Sequence, residues 1–235
     1  MVSGKYSMNI KHYKRSQIVS IDRHNRRINR NYSNENIDPA RTKDNITLVG
    51  CAGLLKTIEG QIDREVRPYG GRITANTVYC TEAVFTLPEG MSADQAEGYF
   101  CTILDYFQEH DFRVLSAVVH LDETTPHMHA DFSDVLDHKM SRSKIWNKST
   151  LIRLHDEIPQ YLQEHGFQVE RGECLDRKAK QKAKRDIHQY KADMLEQDIR
   201  ALEQEREELL AGNEDLALDI AEMVENRDLG VDLCR

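Results

Sequence analysis

Residues 120–129 read His120-Leu121-Asp122-Glu123-Thr124-Thr125-Pro126-His127-Met128-His129. Three imidazoles at the spacing H-x6-H-x-H, with a carboxylate pair inside the interval, are residue types that hold a divalent metal and leave positions open for substrate. His127 and His129 are two apart, so on a β-strand they project from one face. One histidine alone usually satisfies a local hydrogen bond. Three in this pattern point to a metal site.

The elements around the decapeptide must bring its histidines together. The apolar run 114–119 ends on His120 and reads as a buried strand within 112–121; the acidic turn 122–126 folds His120 back beside a second strand, 126–136. Upstream, 6–13 reads as a strand and 15–30 as a helix, with Ile18, Ile21 and Ile28 apolar among Arg23, Arg26, Arg27 and Arg30. Residues 34–44 read as a loop, 46–49 as a strand, and 51–67 as a helix closed by Pro68-Tyr69-Gly70-Gly71. The stretch 77–87 is β-branched and aromatic enough for a strand. Ser92 caps a helix running to His110, with Ala96, Tyr99, Phe100, Ile103, Leu104 and Phe107 on one stripe. A polar stretch containing Trp146 leads to a helix over 149–165 that Gly166 ends. The order predicts an α+β domain, residues 1–175, with an antiparallel-rich central sheet covered by helices. Over 176–235 the pattern changes. Leu195, Ile199, Leu202, Leu209, Leu216, Ile220 and Met223 repeat every 3.5 residues, with Arg206 and Asn213 at the seam, which predicts a long C-terminal helix or coiled coil.

The formal net charge of −8 argues against a nucleic-acid partner, but it averages over opposed segments. Residues 1–43 hold ten Lys/Arg against three Asp/Glu, 171–185 seven against two, and 190–229 four against thirteen. Phosphate binding follows local field, so two basic segments stand behind an acidic tail. Five scattered cysteines without a CxxC pair fit reduced thiols, and no run is long and apolar enough to span a membrane. The expectation is a cytoplasmic protein.

A metal on a domain with basic segments suggests electrophilic activation of a phosphodiester. The candidate nucleophiles are a metal-bound water, Tyr13 or Tyr32, and His24, whose neutral imidazole can attack phosphorus. These residues alone do not choose among them.

His120-x-Asp-Glu-x-x-Pro-His-x-His129 resembles the metal motif of the Mob/Pre (MobV-type) plasmid relaxases of the HUH endonuclease superfamily. Arg23-His24-Asn25-Arg26-Arg27 resembles that family's H-N-x-R motif, and Asn34-x4-Pro39-x-Arg41-x3-Asn45 its next segment. Residues 147–171 resemble the segment after the metal motif, so the likeness covers about 5–175 in order. It implies His120, His127 and His129 as metal ligands, Mn²⁺ or Mg²⁺ as the ion, and His24 as the nucleophile. It also implies Arg27 as a phosphate or support residue and Glu123 as the carboxylate orienting a ligand histidine. Asp122 is expected to cap its turn rather than assist His24. Two positions depart from the family: Ser20-Ile21-Asp22-Arg23 stands where small residues are common, and Ile46 where a tyrosine is common.

The implied function is plasmid mobilisation in a bacterial host: nicking and rejoining one DNA strand at a transfer origin, presented as a hairpin plus single strand, through a covalent 5′-phosphoryl-histidine. Arg23, Arg26, Arg30, Arg41 and Lys43 are the candidate DNA contacts. Two rivals are a rolling-circle replication initiator of the same superfamily, using a tyrosine such as Tyr161, and a non-catalytic, metal-stabilised DNA-binding scaffold. The heptads would serve a homodimer or a coupling protein.

Overall fold

The computed structural model describes residues 4–29, 32, 34 and 36–172, together with 189, 192, 195, 196, 199, 200, 202–210, 212 and 213. Its elements, in chain order, are β1 (Gly4–Lys5), β2 (Ser7–Lys14), α1 (Arg15–Asn25), β3 (Ile46–Val49), α2 (Leu54–Glu65) and β4 (Val78–Thr86). They continue with α3 (Ala96–Glu109), β5 (Val114–His120), β6 (His127–Ser133), β7 (Val135–Leu136), β8 (Lys139–Met140), α4 (Arg142–Ile145), α5 (Lys148–Glu164) and β9 (Val169–Glu170). Five strands make one antiparallel sheet in the order β2-β4-β6-β5-β3. The architecture is therefore α+β with an antiparallel central sheet, as the element order predicts.

The sheet carries helices on both faces. On one side Phe85, Ala117, Val119, Met128, Ala130 and Phe132 meet the apolar stripes of α3 and α5. The α3 stripe is buried as its 3.6-residue period requires: Tyr99, Phe100, Ile103 and Phe107 are all fully covered. Each such side chain contributes roughly 1.5–3 kcal/mol of transfer free energy. On the other side α1 and α2 supply Ile18, Leu54, Ile58 and Ile62 against Tyr79, Cys80 and Leu115. That second apolar patch covers only part of its face; the remainder is polar. After α5, Gly166 takes the left-handed turn (φ +90°) and the chain returns to pair β9 with β1. A Cβ at Gly172 would sit 2.3 Å from the Tyr6 carbonyl oxygen, so only glycine passes there.

Two expectations need correction. The helix predicted over 15–30 stops at Asn25, because Arg27 turns left-handed (φ +53°) and the Ile28 amide bonds back to Arg23 O; Ile28 is left exposed. The stretch around Trp146 is not a polar connector: α4 forms there, and the indole is buried among Phe107, Phe112 and Phe132. The chain divides into units Met1–Gly172 and Glu173–Arg235. In the second, the described residues are helical, with Leu195, Ile199, Leu202 and Leu209 exposed; Leu216, Ile220 and Met223 lie outside the described residues. Among the described residues no helix is long and apolar enough to cross a membrane.

Candidate active site

The site grows out of strand alternation. In the β5–β6 register His120 lies opposite His127, and His129 opposite Val118, so all three histidines share the face that α1 and α2 leave uncovered. Each imidazole is pinned by one nitrogen. His120 Nε2 donates to Asn25 O at 2.8 Å, His127 Nδ1 to Thr125 O at 2.9 Å, and His129 Nδ1 to the Glu82 carboxylate at 2.9 Å. A carbonyl or carboxylate only accepts, which fixes the tautomers. The lone pairs are then on His120 Nδ1, His127 Nε2 and His129 Nε2, and they face one another: 3.3 Å between the first two and 3.1 Å between the last two. Burial and the neighbouring histidines hold His120 down to about 2 and lower His127. Three lone pairs so disposed repel unless a cation lies between them. Two ligands at about 2.1 Å from one ion lie about 3.0–3.4 Å apart, the size of each of these two separations; the groups whose ligand atoms all lie within 4.8 Å of one another are His24, His120 and His129, and His120, Glu123 and His127.

His24 is on the last turn of α1. Its ring centroid is 5.8 Å from that of His120 and 5.6 Å from that of His129, and ring nitrogens of the three lie within 4.8 Å of one another. Burial, His129 and Arg27 lower its pKa, which favours the neutral imidazole. It opens onto a cleft of about 360 Å³ lined also by Lys11, Tyr13, Tyr32, Glu82 and His129. Of the tyrosines in question, Tyr13 donates to Glu82 at 2.9 Å, and burial with that carboxylate raises its pKa well above the usual phenol value. Tyr32 stands 6.2 Å from the His24 ring, its hydroxyl buried without a partner. Tyr161 is on α5, behind the opposite face of the sheet, bonded to Glu109.

Arg27 is what places His24. A non-glycine residue at positive φ costs on the order of 1 kcal/mol, and here buried ion pairs hold it. Its Nη2 meets Asp122 at 2.8 Å and Glu123 at 2.6 Å, and its side chain is 3% exposed. Nη1 lies 3.4 Å from His24 Nε2. Asp122 does not cap its own turn, and it does not reach His24. It accepts from Arg27, Thr42 and Asn45, and these hold its pKa low despite burial. Asn45 Oδ1 in turn accepts the amides of Leu121 and Asp122. Glu123 accepts from Arg27 and from Asn34 and comes no nearer than 3.9–4.0 Å to His127 and His120. The carboxylate that hydrogen-bonds a candidate ligand is Glu82 instead. Burial alone would raise Glu82, but bonds from His129, Asn25 and Tyr13 bring it down to about 2. One signal for it stood in the sequence: a lone carboxylate inside the otherwise apolar and β-branched strand 77–87. Arg23, Arg26, Arg41 and Lys43 are exposed, Arg26 paired with Asp22. Arg30 and 173–185 lie outside the described residues.

The family described as plasmid recombination enzyme (Mob_Pre) matches residues 3–192. A plasmid recombination enzyme of Lactiplantibacillus plantarum is 35% identical over 209 residues, covering 84% of this chain and 55% of that protein. One from Streptococcus agalactiae is 30% identical over 181 residues, covering 73% of this chain and 36% of that protein. The chain thus spans about half or less of the length of these curated relatives. A crystal structure of the MobM relaxase domain, manganese-bound and in complex with 22 nucleotides of plasmid pMV158 oriT DNA, superposes with a TM-score of 0.66 at 25% identity. It covers 74% of this chain and 93% of that one.

Proposed function

The chain belongs to the plasmid recombination enzyme family, and from that premise we propose that it is a mobilisation relaxase whose nucleophile is His24. The observation that carries the reading is an imidazole at the wall of a cleft, close to His120 and His129, with His127 Nε2 3.3 Å from His120 Nδ1 and 3.1 Å from His129 Nε2. His120, His127 and His129 would hold the metal, manganese or magnesium. When bound, the ion supplies positive charge toward the non-bridging oxygens of the scissile phosphate.

His24 attacks phosphorus in line with its ring lone pair. A P–N bond forms as the P–O3′ bond breaks; the imidazole loses its remaining ring proton and the departing 3′-oxygen takes one up. The strand is left with a free 3′-OH and a 5′-phosphoryl group on the protein, and the reverse step rejoins it. Arg27, clamped by Asp122 and Glu123, positions His24 rather than moving a proton. Glu82 fixes the tautomer of His129. The substrate is transfer-origin DNA, a hairpin with adjoining single strand, whose backbone Arg23, Arg26, Arg41 and Lys43 would meet. Residues 1–175 carry the chemistry in the bacterial cytoplasm, and the helix within 176–235 serves a second copy or a coupling protein.

The test is a nicking assay on supercoiled plasmid bearing the cognate origin, with Mn²⁺ and with chelator, followed by mapping of the covalent adduct. Nicking in Mn²⁺ with the adduct on His24 is expected. An adduct on Tyr32 or Tyr13 would overturn the nucleophile, and sequence-specific binding without nicking would leave a scaffold.

A further inference from the structure

A second cleft lies at the other end of the same sheet. It measures about 210 Å³ and is lined by Arg72, Thr77, Val78, Met140, Arg142 and Ser143. We propose that it binds backbone phosphates of the DNA strand several nucleotides from the scissile bond, with Arg72 and Arg142 as the anchors. The proposal rests on the reading above that the chain acts on DNA.

Charge is the first support. Arg15, Arg26, Arg27, Arg67, Arg113, Arg153 and Arg171 are all ion-paired. Among the described residues, Arg72 and Arg142, like Arg23, Arg41 and Arg64, have no carboxylate oxygen within 4.0 Å, and of these five only Arg72 and Arg142 line this cleft. The two segments that form the cleft are basic as well: residues 67–77 hold two arginines and no acid, and 135–144 hold three basic residues and one aspartate.

The second support is that Arg142 is placed from the sheet interior. Its Nη1 lies 3.5 Å from His12 Nε2, His12 Nδ1 donates to Thr81 Oγ1 at 3.0 Å, and the Thr81 hydroxyl donates to Asp134 at 2.9 Å. Trp146 Nε1 also donates to Asp134, at 3.0 Å. Thr81, Asp134 and Trp146 are buried, so a surface guanidinium is tied to rigid groups while, among the described residues, most of its N–H groups have no partner. A side chain that merely solubilised the surface would need no such chain.

The third support is continuity with the first cleft. Lys11 and Tyr13 line the His24 cleft, whereas Val78, which lines the second, pairs with Lys14 three residues further along β2. Three strand residues span about 10 Å. Lys14 Nζ donates to Asn76 at 2.9 Å, within the loop that carries Arg72. Tyr69, three residues before Arg72, is 63% exposed and stacked on His138, two residues before Met140, centroids 3.6 Å apart at 15°. Such a platform takes a nucleotide base without regard to sequence. Cations interleaved with an exposed stacked ring favour a nucleic acid over an acidic peptide.

The experiment measures the salt dependence of binding of the 235-residue chain, without metal, to a single strand of about 20 nucleotides containing the origin. For the pair R72A/R142A the slope of log Kobs against log[salt] should become shallower by about 1.4, roughly 0.7 for each lost phosphate contact on a single strand. The pair should lose affinity on this strand and lose none on a short oligonucleotide confined to the His24 cleft. R72K/R142K should restore the slope, and R153A, on α5, should leave it alone. If the alanine pair does not fold, R72Q and R142Q singly should each shift the slope by about 0.7. An unchanged slope in a folded variant, or an equal change in R153A, overturns the proposal even where the wild type nicks. A wild type that does not nick, with the slope still falling in the variant, overturns the relaxase reading and keeps this one. An acidic peptide that competes while DNA does not bind overturns both.

Discussion

The seven residues of β6 build two unlike faces. Met128, Ala130 and Phe132 are fully buried and meet α3 and α5 through packing alone. His129, Asp131 and Ser133 are 9%, 1% and 5% exposed, nearly as dry, yet each is matched by a polar partner: Glu82, Asn25 and Gln61 respectively. Burial stabilises the first face directly. On the second it is a cost that hydrogen bonds must offset. That difference sets the chemistry. Glu82 and Asp131 lie opposite each other across β4 and β6 and titrate in opposite directions. Glu82 is brought down to about 2 by its three donors, whereas burial and the Glu82 charge push Asp131 well up. One charge is kept where it can hold His129, and the neighbouring carboxyl holds its proton more tightly than usual.

The largest effect that separates the faces is expected from H24A. Adduct formation should fall by on the order of 10³-fold or more, with metal content and folding intact. Residual adduct on Tyr32 would move the nucleophile across the cleft. Next, F132A on the apolar face should cost about 3–5 kcal/mol, read as a lower unfolding midpoint, while Mn²⁺ affinity per folded molecule stays at the wild-type value. H127A should do the reverse: without metal its melting temperature should match or exceed the wild type, because one of three opposed lone pairs is gone. Its Mn²⁺-dependent gain in stability and its nicking should both vanish, and a metal-dependent gain that survives would sink the three-histidine site. E82Q should weaken metal binding by about 10–100-fold by loosening the His129 tautomer, measurable by titration calorimetry; an unchanged affinity would make Glu82 a bystander.

A pH-dependent effect concerns a buried carboxyl at the edge of the apolar side. Burial, against bonds from Thr81 and Trp146, pushes Asp134 up from 3.8 to about 7. The folded state therefore holds this proton more tightly than the unfolded chain does. Its contribution to stability is complete below about pH 4 and is lost as pH rises through about 7. D134N should flatten the melting temperature over that interval, and a parallel curve for the two proteins would show that the group does not matter.

Much of this was legible in the residues, for physical reasons that differ from case to case. The α3 stripe follows from a period of 3.6 and the need to cover a sheet, and the pairing of His120 with His127 follows from a short acidic turn between two strands. His24 was visible only through its neighbours in the H-N-x-R pattern. Glu82 was missed as a partner because a carboxylate 47 positions from His129 announces no contact until β4 and β6 are in register. Arg27 gave no sign of a left-handed turn, since arginine has no preference for one; the ion pairs that stabilise it come from residues 95 and 96 positions away. Trp146 looked polar by company and is apolar by contact.

What the sequence determined by itself is the set of donors and the class of chemistry. Imidazoles at that spacing, a histidine among arginines, and strands alternating in polarity do not depend on how the chain closes. What only the tertiary structure decided is which nitrogen of each histidine is free, which carboxylate is charged, and which way His24 faces. Those properties are set by partners distant in sequence and by the exclusion of water, and neither is written in any one segment.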